Sequence, residues 1–301
     1  MLPLKSKLTI GLLLLSLTVG CAQAPNANIP ATSETAETTT TAENPATKTK
    51  VVALTSLSAD ILYRLDESSL VGVSGSRLIA QDPNFSELPK VSEGRTPPNL
   101  EKIVALKPDL VIGAVGFHDQ VLKKLDEVGI ETMAAEVPDW RSLEELTRTL
   151  AEKIGADPEP LLTEYASFLP DEPQATDSAI VLVSNQPIMA PNRNSWAGDL
   201  LQQFAVNNLV AELQGNSPQQ GYITLSPEKI LEANPEMLLL VDVGDGAIAE
   251  LKSAPFWSEL DAVKNDRVYT FDYYGLVNPG SVQAIQTASQ QLQDLTTSAV
   301  N

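Results

Sequence analysis

The chain contains the same helix-and-strand unit twice. The stretch "NLEKIVALKPDLVIGAVG" (Asn99 to Gly116) returns 127 residues later as "SPEKILEANPEMLLLVDV" (Ser226 to Val243). In each copy a residue with a short polar side chain, Asn99 or Ser226, stands where a helix needs its first amides satisfied. An unbroken apolar run follows each helix, as expected of a strand buried on both faces. A second echo pairs "ADILYRLDESSLVG" from Ala59 with "GDLLQQFAVNNLVA" from Gly198 at an offset of 139, matching Asp60 to Asp199 and Leu65 to Phe204. The two offsets fit two copies of one unit whose loops differ in length.

Around these units, apolar runs alternate with helical patterns: "KVVALTS", "LVGVSG", "DLVIGAV" and "IETMAAE", then "AIVLVS", "MLLLVDV" and "RVYTFD". One such helix is expected over Asp119 to Val128, with Val121, Leu122, Leu125 and Val128 on one face and Gly129 as its stop. Alternation of this kind predicts an α/β fold with mostly parallel sheets flanked by helices. The duplication divides it into two similar lobes, residues 51–140 and 171–301, with a ligand cleft between them at the C-terminal ends of the strands. Residues 141–170 read as a helical crossover, with Ser142 and Glu145 as a capping box and Leu143, Leu146, Leu150 and Ile154 facing inward.

Ahead of the lobes, residues 1–20 place Lys5 and Lys7 before the apolar run Leu8 to Gly20, which is too short to span a bilayer and suits a secretory signal peptide. It ends at Cys21, the only cysteine of the chain. A lone thiol in an oxidising compartment has no disulfide to make, and Thr18-Val19-Gly20-Cys21 resembles the lipobox of bacterial lipoproteins, which makes Cys21 the expected lipidation site. Residues 21–50 hold no aromatic residue and cannot bury a core, so they are expected to form a disordered tether. The net charge of −19 at pH 7 disfavours nucleic acid and anionic lipid as partners. It falls by two more once Lys5 and Lys7 leave with the signal.

Taken in this order, "VVALTSLSADILYRLDESSLVGVSG", "VSEGRTPPNLEKIVALKPDLVIG", "SWAGDLLQQFAVNNLV", "SPEKILEANPEMLLL" and "FWSELDAVKNDRVYTFD" resemble the substrate-binding lipoproteins of ABC importers, of the class that carries ferric siderophores, haem and cobalamin. The resemblance covers nearly all of Val51 to Gln291. It implies a lipid-anchored protein of the periplasm or outer cell-envelope face, a monomer that captures an iron(III) chelate, foremost a ferric siderophore. It also implies a permease dimer with its ATPase as partner, and the membrane met only through the anchor. Glu101 and Glu228 match at the starts of the repeated helices, where a carboxylate also complements the helix dipole. The resemblance makes them the permease-docking residues, on equivalent surfaces away from the strand ends of the cleft.

Ligand contacts are expected from loops after strands: Arg77, Arg95, Phe117, His118, Trp140, Arg193, Trp196, Tyr222, Tyr273 and Tyr274. Arginine forks suit anionic oxygen groups and aromatic rings stack on flat ligands, so these residues favour an anionic chelate. His118 is the sole histidine, which leaves no cluster for a metal held directly by protein. Haem needs only one or two axial groups, which His118 or a tyrosine could supply. No resident cofactor is expected.

Enzyme motifs fail on inspection. "SPEK" from Ser226 matches a serine-acylase motif in letters but sits at a helix cap, "GVSG" lacks the spacing of a nucleophile elbow, and one histidine leaves little room for a catalytic triad. A tethered sensor that binds a ligand without transport is the alternative of another class.

Overall fold

The structure is a computed structural model that describes residues 48–94, 96–215, 220–244 and 246–298. Cys21, Arg95 and the signal segment lie outside the described residues. The last three residues of the expected tether are tied down: Lys48 Nζ pairs with Asp66 at 2.9 Å, Thr49 donates to the Lys153 carbonyl, and the Lys50 amide donates to Asp109.

The first lobe runs β1 (Val51–Ala53), α1 (Ser56–Asp66), β2 (Leu70–Val73), α2 (Arg77–Gln81), α3 (Leu100–Ala105), β3 (Leu110–Ala114), α4 (Asp119–Glu127) and β4 (Glu131–Ala135). Then come α5 (Trp140–Ile154) and α6 (Glu159–Ala166). The second lobe runs β5 (Ser178–Leu182), β6 (Ile188–Pro191), α7 (Trp196–Gln203), β7 (Asn207–Asn208), β8 (Tyr222–Leu225), α8 (Pro227–Ala233), β9 (Met237–Asp242), α9 (Ala247–Ser253), α10 (Asp261–Lys264), β10 (Val268–Asp272), the turn α11 (Tyr273–Leu276) and α12 (Val282–Ser298).

The duplication is the topology. One sheet has the order β2-β1-β3-β4, and the other, read from its far edge, β7-β5-β9-β10. Every pairing within them is parallel. Strands β3 and β9 are the repeated apolar runs, and helices on both faces keep them from water. The first lobe is longer between its two repeated segments, and α2 occupies the extra length. The second lobe adds an antiparallel pair, β6 with β8, which the apolar patterning did not predict.

Local caps explain where the helices begin. Asn99 and Ser226 accept amide hydrogens from Lys102 at 2.9 Å and Lys229 at 3.3 Å. The crossover helix departs from expectation: its cap is Asp139, which accepts from the Ser142 amide at 2.7 Å, and Glu145 pairs instead with Arg141. The helix therefore starts at Trp140. Helix α4 ends at Glu127, and Val128 is 64% exposed, off the buried face.

The lobes share a core. Leu143, Leu146 and Leu150 of α5, Leu162 and Tyr165 of α6, and Val282, Ile285 and Leu292 of α12 pack in one apolar cluster with residues of both sheets. The paired aspartates of the repeat pin these helices. Asp60 of α1 accepts from the Val282 amide at 2.7 Å, and Asp199 of α7 accepts from the Trp140 amide at 2.9 Å. Equivalent residues thus accept the first amides of α12 and α5, the two long helices packed where the lobes meet.

Candidate functional site

The C-terminal ends of β1, β2, β3 and β4 open on a cavity of about 540 Å³. Thr55 and Ser56 follow β1, Ser74 and Ser76 follow β2, Phe117 and His118 follow β3, and Glu136 follows β4. Tyr273, Tyr274 and Asn278 close it from the other lobe. A second cavity of about 300 Å³ lies on the second-lobe side, against Asn194, Trp196, Gln220 and Tyr222. Both cavities share Glu136, Val137, Tyr273, Asn278 and Pro279. They are two halves of one cleft joined at the lobe junction.

The expected site residues divide by position. Tyr273 and Tyr274 stand edge to face, ring centres 5.4 Å apart, on the wall of the first half. Arg77 is exposed at the rim, its guanidinium 5.5 Å above the Tyr274 ring, an arrangement with cation–π attraction. Phe117 is 77% exposed and meets the edge of His118. Tyr222 lines the second half, and burial pushes its hydroxyl pKa up.

His118 is buried, and its Nδ1 accepts the Ala114 amide at 2.8 Å. Burial holds its pKa below the ordinary value of 6.5. The neutral ring therefore carries its proton on Nε2, and neither nitrogen offers a lone pair to a metal as placed. Gly113 makes this packing possible, since a Cβ there would come within 2.7 Å of the His118 Cβ.

The tryptophans sit deeper than expected of ligand platforms. Trp140 stacks on Trp196 at 5.9 Å and 17°, and it lines neither half of the cleft. Trp196 is 3% exposed, and its indole N–H donates to the Gly275 carbonyl at 2.7 Å. Gly275 has φ +100°, and a Cβ there would strike the Ala284 carbonyl at 2.2 Å. The pair braces the cleft from beneath. Arg193 lies outside both cavities and is ion-paired with Glu212.

Glu136 and Asn278 were not singled out from sequence. Glu136 reads as the last letter of the strand "IETMAAE" but falls one residue past β4, and Asn278 opens the turn "NPG".

Glu101 and Glu228 are exposed at the starts of α3 and α8. The hydroxyl of Ser226 and a backbone amide hold the Glu228 carboxyl below the usual range. A groove of about 520 Å³ between α8 and α9 carries Glu228 with Leu231, Phe256, Glu250 and Glu259. Its counterpart between α3 and α4, about 510 Å³, holds Pro98, Leu100, Phe117 and Lys124. Phe117 borders both this groove and the cleft, so the start of α3 adjoins the strand ends of the cleft. The expectation that these helix starts lie away from the cleft is corrected for α3 by that contact. An α3 helix antiparallel to the strand it feeds must begin at that strand's C-terminal end.

A family model described as periplasmic binding protein matches residues 51–274. The chain belongs to the periplasmic binding protein family. Among relatives of this binding protein, the "uncharacterized ABC transporter substrate-binding lipoprotein YvrC" of Bacillus subtilis is 26% identical over 74% of the chain and 72% of the relative. The "Fe(3+)-citrate-binding protein YfmC" of the same organism is 26% identical over 59% of this chain and 58% of its own length. The solved structure of the periplasmic haem-binding protein HutB of Vibrio cholerae is similar with a TM-score of 0.66 at 19% identity, covering 82% of this chain and 98% of that one. That likeness carries the two-lobed fold. The family is one of solute-binding proteins of ABC transporters and not of enzymes.

Proposed function

We propose that this is a lipid-anchored binding protein of an ABC importer that captures an iron(III) chelate, foremost a ferric siderophore, and delivers it to a permease dimer with its ATPase. The observation that carries the reading is the two-part cleft between the lobes, walled by Phe117, Tyr222, Tyr273 and Tyr274 and by the hydroxyls of Ser56 and Ser76. Aromatic faces fit the organic shell of a chelate, and hydroxyls bond its oxygen atoms. A relative named for Fe(3+)-citrate supports an iron ligand. Cys21 would carry the acyl chains that hold the monomer at the cell-envelope surface, and Glu101 and Glu228 would meet the permease.

Haem is the second reading, favoured by Tyr273 and Tyr274, whose phenolic oxygens could reach a bound iron where His118 has no lone pair to offer. Cobalamin is the third.

Native mass spectrometry of the full chain in detergent, offered ferric siderophores, haem and cobalamin, tests the reading. One ferric siderophore retained per chain is expected. Retention of haem or cobalamin alone would overturn the siderophore assignment, and retention of none would overturn the whole. For the anchor, Cys21→Ser should leave an unprocessed or soluble form, and unchanged membrane fractionation with normal processing would contradict lipidation.

A further inference from the structure

Glu136 is the one side chain of fixed charge among the described residues that line either half of the cleft. It stands directly after β4, and three residues later Asp139 caps α5, so its backbone belongs to the joint between the lobes. The Val115 amide bonded to the Ala135 carbonyl at 3.1 Å steadies that joint. Its side chain is exposed, and no hydrogen bond or ion pair from the described residues engages the carboxylate. On an open surface that would be ordinary. Here both halves of the cleft share it, so a ligand that fills them must lie against an unpaired negative charge.

Among the described residues, little cancels that charge. His118 is held neutral by burial. Arg77 stands at the rim, above the outer ring Tyr274. The whole chain carries −19, and a field of that sign repels anions as they approach. A ligand bearing N–H or ammonium donors would pair with Glu136, while an anion would meet repulsion in a site that sheds water on binding.

Ferric chelates differ in this property. Three hydroxamate groups give up three protons and neutralise iron(III), whereas three catechols give up six and leave a trianion. We propose that Glu136 makes the cleft select neutral or positively charged, donor-bearing ferric chelates, the hydroxamate class, over ferric tris-catecholates and ferric citrate. The inference rests on the reading of this chain as a binding protein for iron chelates.

The test is a fluorescence titration of the full chain in detergent with ferrioxamine B, a cationic ferric trihydroxamate carrying an ammonium group, with ferric enterobactin, a trianionic tris-catecholate, and with ferric citrate. Wild type should bind ferrioxamine tightest. In Glu136→Gln, which keeps the shape and removes the charge, the ratio of ferrioxamine to enterobactin affinity should fall by about tenfold. Added salt should shrink that ratio in both proteins, because the net charge persists, and more steeply in wild type than in the variant. If chelates bind but Glu136→Gln leaves the ratio unmoved, or wild type prefers the tris-catecholate or citrate, the inference is overturned while the iron-chelate reading stands. Binding of none of the three overturns both.

Discussion

Tyr273 stands where both halves of the cleft meet, so its loss should be felt whichever half a ligand occupies. Tyr273→Ala should weaken binding of the ferric chelate by about tenfold or more, as for a central aromatic anchor. Arg193→Ala should leave affinity within about twofold, because its guanidinium pairs with Glu212 outside the cleft. Equal losses in the two variants, measured by equilibrium titration, would contradict this placement. His118 carries a separate consequence. Its folded-state pKa lies below the ordinary 6.5 because burial disfavours the charged ring. As pH falls through that value the unfolded chain takes up the proton first, so the contribution of His118 is present above pH 6.5 and is lost toward the lower folded value. Melting temperature should therefore drop between about pH 7.5 and about pH 5.5, and less steeply in His118→Asn, whose side-chain oxygen can still accept the Ala114 amide. Parallel slopes for the two proteins would count against it. That His118 and Tyr273 lie near the cleft was legible from their places after strands. The stacking of Trp140 on Trp196 and the pairing of Arg193 with Glu212 were not, because each depends on contacts between segments far apart in the chain.

At the scale of elements, the repeat foretold two similar lobes with parallel sheets and the caps of α3 and α8, and the caps were legible because they depend on short-range pattern. The β6–β8 pair escaped because it belongs to the second lobe alone, so the repeat carried no sign of it. Ser142 looked like the cap of α5 because it heads a capping-box pattern, yet Asp139 lies closer to the chain's emergence from β4 and took the role. The matched aspartates deliver the most from the duplication. Removing Asp60 or Asp199 leaves the first amide of α12 or α5 without its carboxylate, at a cost of about 1.5–3 kcal/mol for a bond to a charged group. Asp60→Ala and Asp199→Ala should each lower the melting temperature by about 4–8 °C, and the Asn variants by less. Alanine variants that melt like wild type would show that these bonds are dispensable. The matched glutamates predict the converse. Glu101→Ala with Glu228→Ala should leave chelate affinity unchanged and weaken permease docking more than either single change. Full uptake of the chelate by the double variant would end the docking assignment. A fall in melting temperature alone would mark both residues as helix caps.

For the whole molecule, function follows from how two copies of one unit are joined. Two parallel sheets of the same order put their strand ends at one junction, and a shared core around α5, α6 and α12 fixes the distance between them. The helix starts that carry Glu101 and Glu228 occupy equivalent positions in the two lobes. The start of α3 adjoins the cleft through Phe117, so on that side capture and delivery use neighbouring surface. The central claim is that an iron chelate is held at this junction. The measurement that tests it most directly is anomalous diffraction at the iron edge from crystals grown with a ferric chelate. The account predicts one iron site per chain, enclosed by Phe117, Glu136, Tyr273 and Tyr274. An iron site elsewhere on the protein, or chelate bound with this cleft left open to water, would contradict it.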